Sequence, residues 1–204
     1  MKKRFKKIKK RRTLISKIIA IALIIGFLFA KTTTDLSPIT TAVLSFVGLV
    51  LCTIASLGRI WCTLYITGFK NKKLVAEGPY SMSRNPLYFY SFLGTIGLGL
   101  ASNSFLLLGA IVLGFIIYYP FVIVGEEDKL ESIYGADYRK YKQNVPRFFP
   151  KFSLFHEPNL YEVKPKSFSK DLRDCAMFIV AYGGIIIINV VKSEGFIKPL
   201  FEIF

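Results

Sequence analysis

The chain has 204 residues, 52% of them hydrophobic, and its 28 Lys and Arg outnumber 13 Asp and Glu to give a net charge of +15. An ordinary soluble domain cannot cover so much apolar surface, so the apolar and basic residues must be segregated along the sequence, one set facing lipid and the other water. Three cysteines (Cys52, Cys62, Cys175) without C-x-x-C spacing and a single histidine, His156, exclude a recognisable metal cluster, a Ser-His-Asp triad and a disulfide framework, and no metal ligands are expected.

Residues 1–13 form a polybasic tail, in which KKRFKKIKKRR at 2–12 holds nine cations and no acid. Beside an anionic leaflet such a run gains about 1 kcal/mol per charge. A first span follows at once, LISKIIAIALIIGFLFA at 14–30, with Lys17 placed to snorkel. That adjoining span gives the charge a topological role, so nucleic acid is not an expected partner. Leu28 and Ala30 before Lys31 make no small-x-small cleavage site, which disfavours a signal peptide.

The second span runs from about Ile39 to Trp61 and ends at Arg59 and an interfacial Trp, so that 14–64 contains two transmembrane helices. A polar connection at 65–85 carries Gly-Pro and Asn-Pro turn signals. Pro86 opens the third span, PLYFYSFLGTIGLGLA, and Ser102, Asn103 and Ser104 reverse the chain into a fourth at 105–124, making a hairpin over 86–124. The GTIGLG run at 94–99 lies inside span three, where close helix packing by small residues is expected. Residues 125–175 are polar, with ten basic positions, before a last span at 176–191 within the 151–204 segment. The expected fold is therefore all-α, a polytopic membrane bundle of about five helices with a cofactor-binding segment after the fourth. The distribution of Lys and Arg puts the N-terminus and both large polar segments in the cytoplasm.

Four pieces on that side could carry chemistry: KKLVAEGPY (72–80), SRNPLY (83–88), GEEDKL (125–130) and YGADYRKYKQNVPRFFP (134–150). Glu126, Glu127 and Asp128 are expected just beyond the fourth span, where an exposed C-terminal helix end prefers cations, so their presence points to function. Tyr138 and Tyr141 are expected to pack with Tyr134 and Phe148 on one helix face.

In order and spacing the four pieces resemble the isoprenylcysteine carboxyl methyltransferase and phospholipid methyltransferase superfamily, whose pattern runs L-V-x-x-G-x-Y, R-H-P-x-Y, E-E, then F-G-x-x-Y-x-x-Y and V-P. The resemblance covers residues 65–150. It implies a core that binds S-adenosyl-L-methionine through Lys72, Lys73, Leu74, Val75 and Tyr80, through Asn85, Pro86, Leu87 and Tyr88, and through Glu126. It also implies Arg84, Asn85 and Arg147 as residues acting on the substrate. The family's His is Asn85 here, which keeps a donor and an acceptor but does not titrate near neutrality. A family Arg shortly before the acidic pair is absent, Val122 standing in its region.

The implied activity is methyl transfer to a lipidic or membrane-partitioned acceptor at the cytoplasmic face, an in-line displacement that needs positioning and exclusion of water. Membrane lipids are the expected surroundings. A sterol-reductase-like NADPH enzyme and a non-catalytic membrane scaffold or lipid-binding protein are the alternatives. A soluble dinucleotide-type methyltransferase domain is excluded, because no G-x-G-x-x-G follows a strand.

Overall fold

A computed structural model describes residues 30–32, 36–69, 72–196 and 201–203. The polybasic tail and, but for Ala30, the first expected span at 14–30 lie outside the described residues. Helices dominate: α1 (Pro38–Ile66), the single turn α2 (Pro79–Met82), α3 (Pro86–Ala101), α4 (Phe105–Tyr134), α5 (Ala136–Asn144) and α6 (Pro165–Ser193), with a short 3-10 turn at Phe152–Leu154. Two three-residue strands, β1 (Ala30–Thr32) and β2 (Phe201–Ile203), pair in parallel, a small departure from an all-helical chain.

Local chemistry explains the helix starts. Ser37 caps α1 by accepting from Thr40 N, with Pro38 in the first turn, and Ser104 caps α4 by accepting from Leu107 N. Among the described residues three helices are long and apolar enough to cross a membrane, α1, α4 and α6, while α3 is a shorter apolar helix of 16 residues. At 1.5 Å per residue α3 spans about 24 Å, less than a hydrocarbon core of roughly 30 Å.

Two expected boundaries need correction. The fourth helix does not stop at Val124: neither Gly125 nor the acidic run ends it, and it continues to Tyr134, where Gly135 at φ 53° provides the stop. Glu126, Glu127 and Asp128 thus lie inside a helix and not beyond its end. The last helix begins at Pro165, eleven residues before the expected 176, because Pro165 opens a run through KSFSKDLRDC with no later breaker.

The bundle is built around α3, which packs most extensively on α1 and then on α4 and α6. Glycines permit this. A Cβ at Gly97 would lie 2.8 Å from both the Gly48 carbonyl and Cys52 Sγ, and one at Gly94 would enter the Phe178 ring, so 94–99 is a helix-packing surface. Cross-helix hydrogen bonds add to it: Tyr182 Oη donates to the Ser45 carbonyl at 2.7 Å, and Asn189 Nδ2 to the Ala101 carbonyl at 2.9 Å. Phe46, Leu57, Ile117, Phe121, Val180 and Ile187 point outward, an apolar belt that suits lipid.

Candidate functional site

The end of α1, the 72–88 segment and the last three turns of α4 meet at one end of the bundle. A second stretch, 146–156, runs alongside 78–84 and fixes it by backbone pairing. Arg84 N donates to the Pro146 carbonyl, Lys151 N to the Met82 carbonyl and Gly78 N to the His156 carbonyl, each at 2.9 Å. Ser83 Oγ donates to the Phe148 carbonyl at 2.9 Å, and Tyr141 Oη reaches over from α5 to the Tyr80 carbonyl at 2.7 Å. Burial pushes the Tyr80 and Tyr141 hydroxyls well above the ordinary phenol range and the Tyr138 hydroxyl up to about 12, so all three stay neutral donors at physiological pH.

At the heart of this end lies Glu127, 2% exposed. Its Oε1 accepts from Asn85 Nδ2 at 3.1 Å and lies 3.4 Å from Arg84 Nη1; its Oε2 accepts from Arg147 Nε at 3.2 Å, with Nη2 at 3.1 Å. One carboxylate therefore joins α4 to the 83–85 turn and to the 146–156 stretch. Buried charge is tolerated when it is paired and hydrogen-bonded in this way. Asn85 is the N-cap of α3, yet its side chain does not cap. It donates instead to Glu127 and, at 3.0 Å, to the Arg147 carbonyl.

Beside the cluster is a cavity of about 200 Å3. Of the residues singled out from the sequence, Lys73, Leu74, Val75, Tyr80, Arg84, Asn85, Leu87, Tyr88 and Glu126 line it. Lys72, Pro86 and Arg147 do not: Lys72 is exposed, Pro86 is buried in the first turn of α3, and Arg147 holds Glu127 from outside, half in solvent. Ile66 of α1 and Lys129 of α4, which no sequence motif singled out, also line it, as does Tyr134, expected from the sequence only to pack. The sequence reading passed over the role of Glu127. The signal was present, since Glu127 follows the buried Ile123 by four residues and shares its helix face once α4 is carried through to Gly135.

The wall contains unmet polar groups. Arg84 has a side chain only 9% exposed, and its Nε and Nη1 lack a hydrogen-bond acceptor, as the Tyr134 hydroxyl lacks a partner. Glu126 is exposed at the same cavity. Donors for an anion and an acceptor for a cation thus share one space with the apolar Leu74, Val75 and Leu87. Among the described residues no group of three or more His, Cys, Asp or Glu converges as a metal site would require.

These features define a multi-pass helical membrane protein with a largely apolar cavity, carrying a few polar groups, at one end of its bundle. Residues 38–137 match the family described as phospholipid methyltransferase, so the cavity is built largely within that domain. The chain is 39% identical over 160 residues to the nickel-cobalt-cadmium resistance protein NccN of Alcaligenes xylosoxydans xylosoxydans, a match covering 78% of this chain and 73% of that protein, and it belongs to the same family. It is also 37% identical over 132 residues to the cobalt-zinc-cadmium resistance protein CzcN of Cupriavidus metallidurans, covering 65% of this chain and 61% of the relative. A shorter likeness, 32% over 69 residues, links 34% of the chain to 8% of a phosphatidylethanolamine N-methyltransferase of Lachancea thermotolerans. No solved structure matches.

Proposed function

We propose that the cavity binds S-adenosylmethionine and that the protein transfers a methyl group from it to a membrane-partitioned acceptor at the cytoplasmic face. The observation that carries this reading is the presence, in one cavity, of Arg84, whose buried Nε has no hydrogen-bond partner, and the exposed Glu126 carboxylate. An amino-acid moiety, anionic at one end and cationic at the other, fits that pair.

Bound there, S-adenosylmethionine supplies a methyl group on a cationic sulfur. Arg84 would hold the ligand carboxylate, a charge-assisted bond that would give its buried Nε an acceptor. Glu126 accepts from the ligand's ammonium or hydroxyl groups, while Leu74, Val75 and Leu87 cover its apolar parts and exclude water. Glu127, engaged by both arginines, is a positioning residue that aims Arg84. Asn85 has both of its side-chain N–H groups engaged within the fold and serves the same end.

The domain match supports this reading, and the basic residues of 59–85 and 125–175 support a cytoplasmic mouth. The names of two relatives favour a second reading, in which the chain contributes to metal tolerance as a non-catalytic membrane component. Calorimetry on detergent-purified protein separates the two. With S-adenosylhomocysteine as the probe, the methyltransferase shows micromolar affinity that Glu126→Ala and Tyr88→Ala each weaken about tenfold, roughly 1.4 kcal/mol. Folded wild-type protein that takes up no S-adenosylhomocysteine leaves the non-catalytic role.

A further inference from the structure

Arg59 lies seven residues before the end of α1, outside the lining of the cavity. Its Nη1 donates to Ser91 Oγ on α3, its guanidinium carbon stands 5.7 Å over the Phe178 ring of α6, and its buried Nε has no partner. A ring face and one hydroxyl do not neutralise a guanidinium held among apolar helices, and a cation so placed calls for a counter-ion.

Among the described residues no carboxylate is paired with it. Twelve of the chain's thirteen acidic residues are described, and the ion pairs among the described side chains go to Lys73, Arg84, Arg139, Lys142 and Arg147, none to Arg59. Of these, Glu202 pairs in register with Lys31, ahead of the opposite end of α1, and the thirteenth acid, Asp35, precedes Pro38 by three residues in the sequence. Residues 1–29 contain no acid at all.

Depth indicates where the anion comes from. The 29 residues of α1 extend about 43 Å, against a hydrocarbon core of roughly 30 Å. Counted from Pro38, the apolar interior ends close to Arg59 and Trp61, at the level of lipid headgroups. The planar donor fork of Arg matches a phosphate, and the neighbouring outward face of α1, with Leu57 exposed, suits acyl chains.

We propose that Arg59 is a binding site for the phosphate of a bilayer lipid, drawn between α1, α3 and α6. Ser91 both accepts from Arg59 and donates to the Leu87 carbonyl at 2.8 Å. A lipid held there lies about one helical turn, ~6 Å along α3, from the Leu87 wall of the cavity. The proposal does not depend on methyl transfer.

Trp61, the single tryptophan of the chain, stands two residues from Arg59 and reports on it. The test follows its fluorescence in detergent-solubilised full-length protein titrated with phosphatidylglycerol brominated near the headgroup, or with brominated diacylglycerol of the same chains. In the wild type phosphatidylglycerol quenches at a mole fraction at least about fivefold lower, Arg59→Gln removes that preference, and Arg59→Lys keeps part of it. Millimolar inorganic phosphate leaves the wild-type quenching unchanged. Equal quenching of the wild type by the two lipids overturns the proposal, as does a preference that survives in Arg59→Gln; displacement by inorganic phosphate overturns the lipid assignment. The wild-type comparison decides even if Arg59→Gln does not fold.

Discussion

Glu127 and Glu131 stand one turn apart on α4, and each faces two cations, yet the two clusters differ in kind. Glu127 is 2% exposed and holds Arg84 and Arg147, whereas the Glu131 side chain is 32% exposed and faces Lys142 at 3.3 Å and Arg139 at 4.0 Å. Water screens the second set and is nearly excluded from the first, so similar chemistry has different consequences. The buried carboxylate determines the shape of the cavity end. The exposed one only helps to lay α5 against α4.

The sharpest way to break this contrast is Glu127→Ala, which turns Arg84 into a buried cation without a counter-ion. Loss of one partner from a buried pair costs about 3–5 kcal/mol. A fall of several degrees or more in the thermal midpoint of the detergent-solubilised protein is expected, together with loss of S-adenosylhomocysteine binding. A midpoint like that of the wild type would show that solvent reaches the cluster. Arg147→Ala is milder, because Arg147 is 50% exposed and Arg84 still holds Glu127 after its removal. About 1.5–3 kcal/mol is expected, the range for a hydrogen bond to a charged group, measured by the same unfolding scan. Glu126→Ala completes the series from the neighbouring position. It weakens ligand binding about tenfold, near 1.4 kcal/mol, with the thermal midpoint unchanged, because Glu126 faces the cavity and not the cluster.

That two adjacent glutamates do different work also marks how far the sequence could be read. The apolar runs at 39–61, 86–101 and 105–124 and the small-residue packing of 94–99 were legible, because lipid and close backbone approach leave direct marks on composition. Of the nine positions implied by the family resemblance that line the cavity, eight fall in 72–88, one short stretch whose turns are written in Gly-Pro and Asn-Pro, and the ninth is Glu126 on α4. The division of labour between Glu126 and Glu127 was not legible. It depends on α4 continuing to Gly135, which sets the helical phase, and on a carbonyl-lined stretch sixty residues downstream of Arg84. Periodicity shows which residues share a face but not which distant segment covers it. Asn85 shows the same limit: as a motif residue it suggested chemistry, and in the fold its amide is taken up by Glu127 and the Arg147 carbonyl.

Arg59 extends the comparison to a third setting, a cation with no carboxylate partner among the described residues, and the exposed Glu131 cluster supplies its control. Glu131→Ala removes both Lys142 and Arg139 contacts at once, yet each cation is already substantially hydrated. The expected cost is under about 1 kcal/mol, and it shrinks further as salt rises through physiological ionic strength, where charges more than about 8 Å apart are screened. Unfolding scans at low and high salt measure it, with Glu127→Ala alongside as the case that salt should barely change. If the two variants respond to salt alike, burial is not what separates the clusters, and the assignment of Glu127 as the residue that aims Arg84 loses its physical basis.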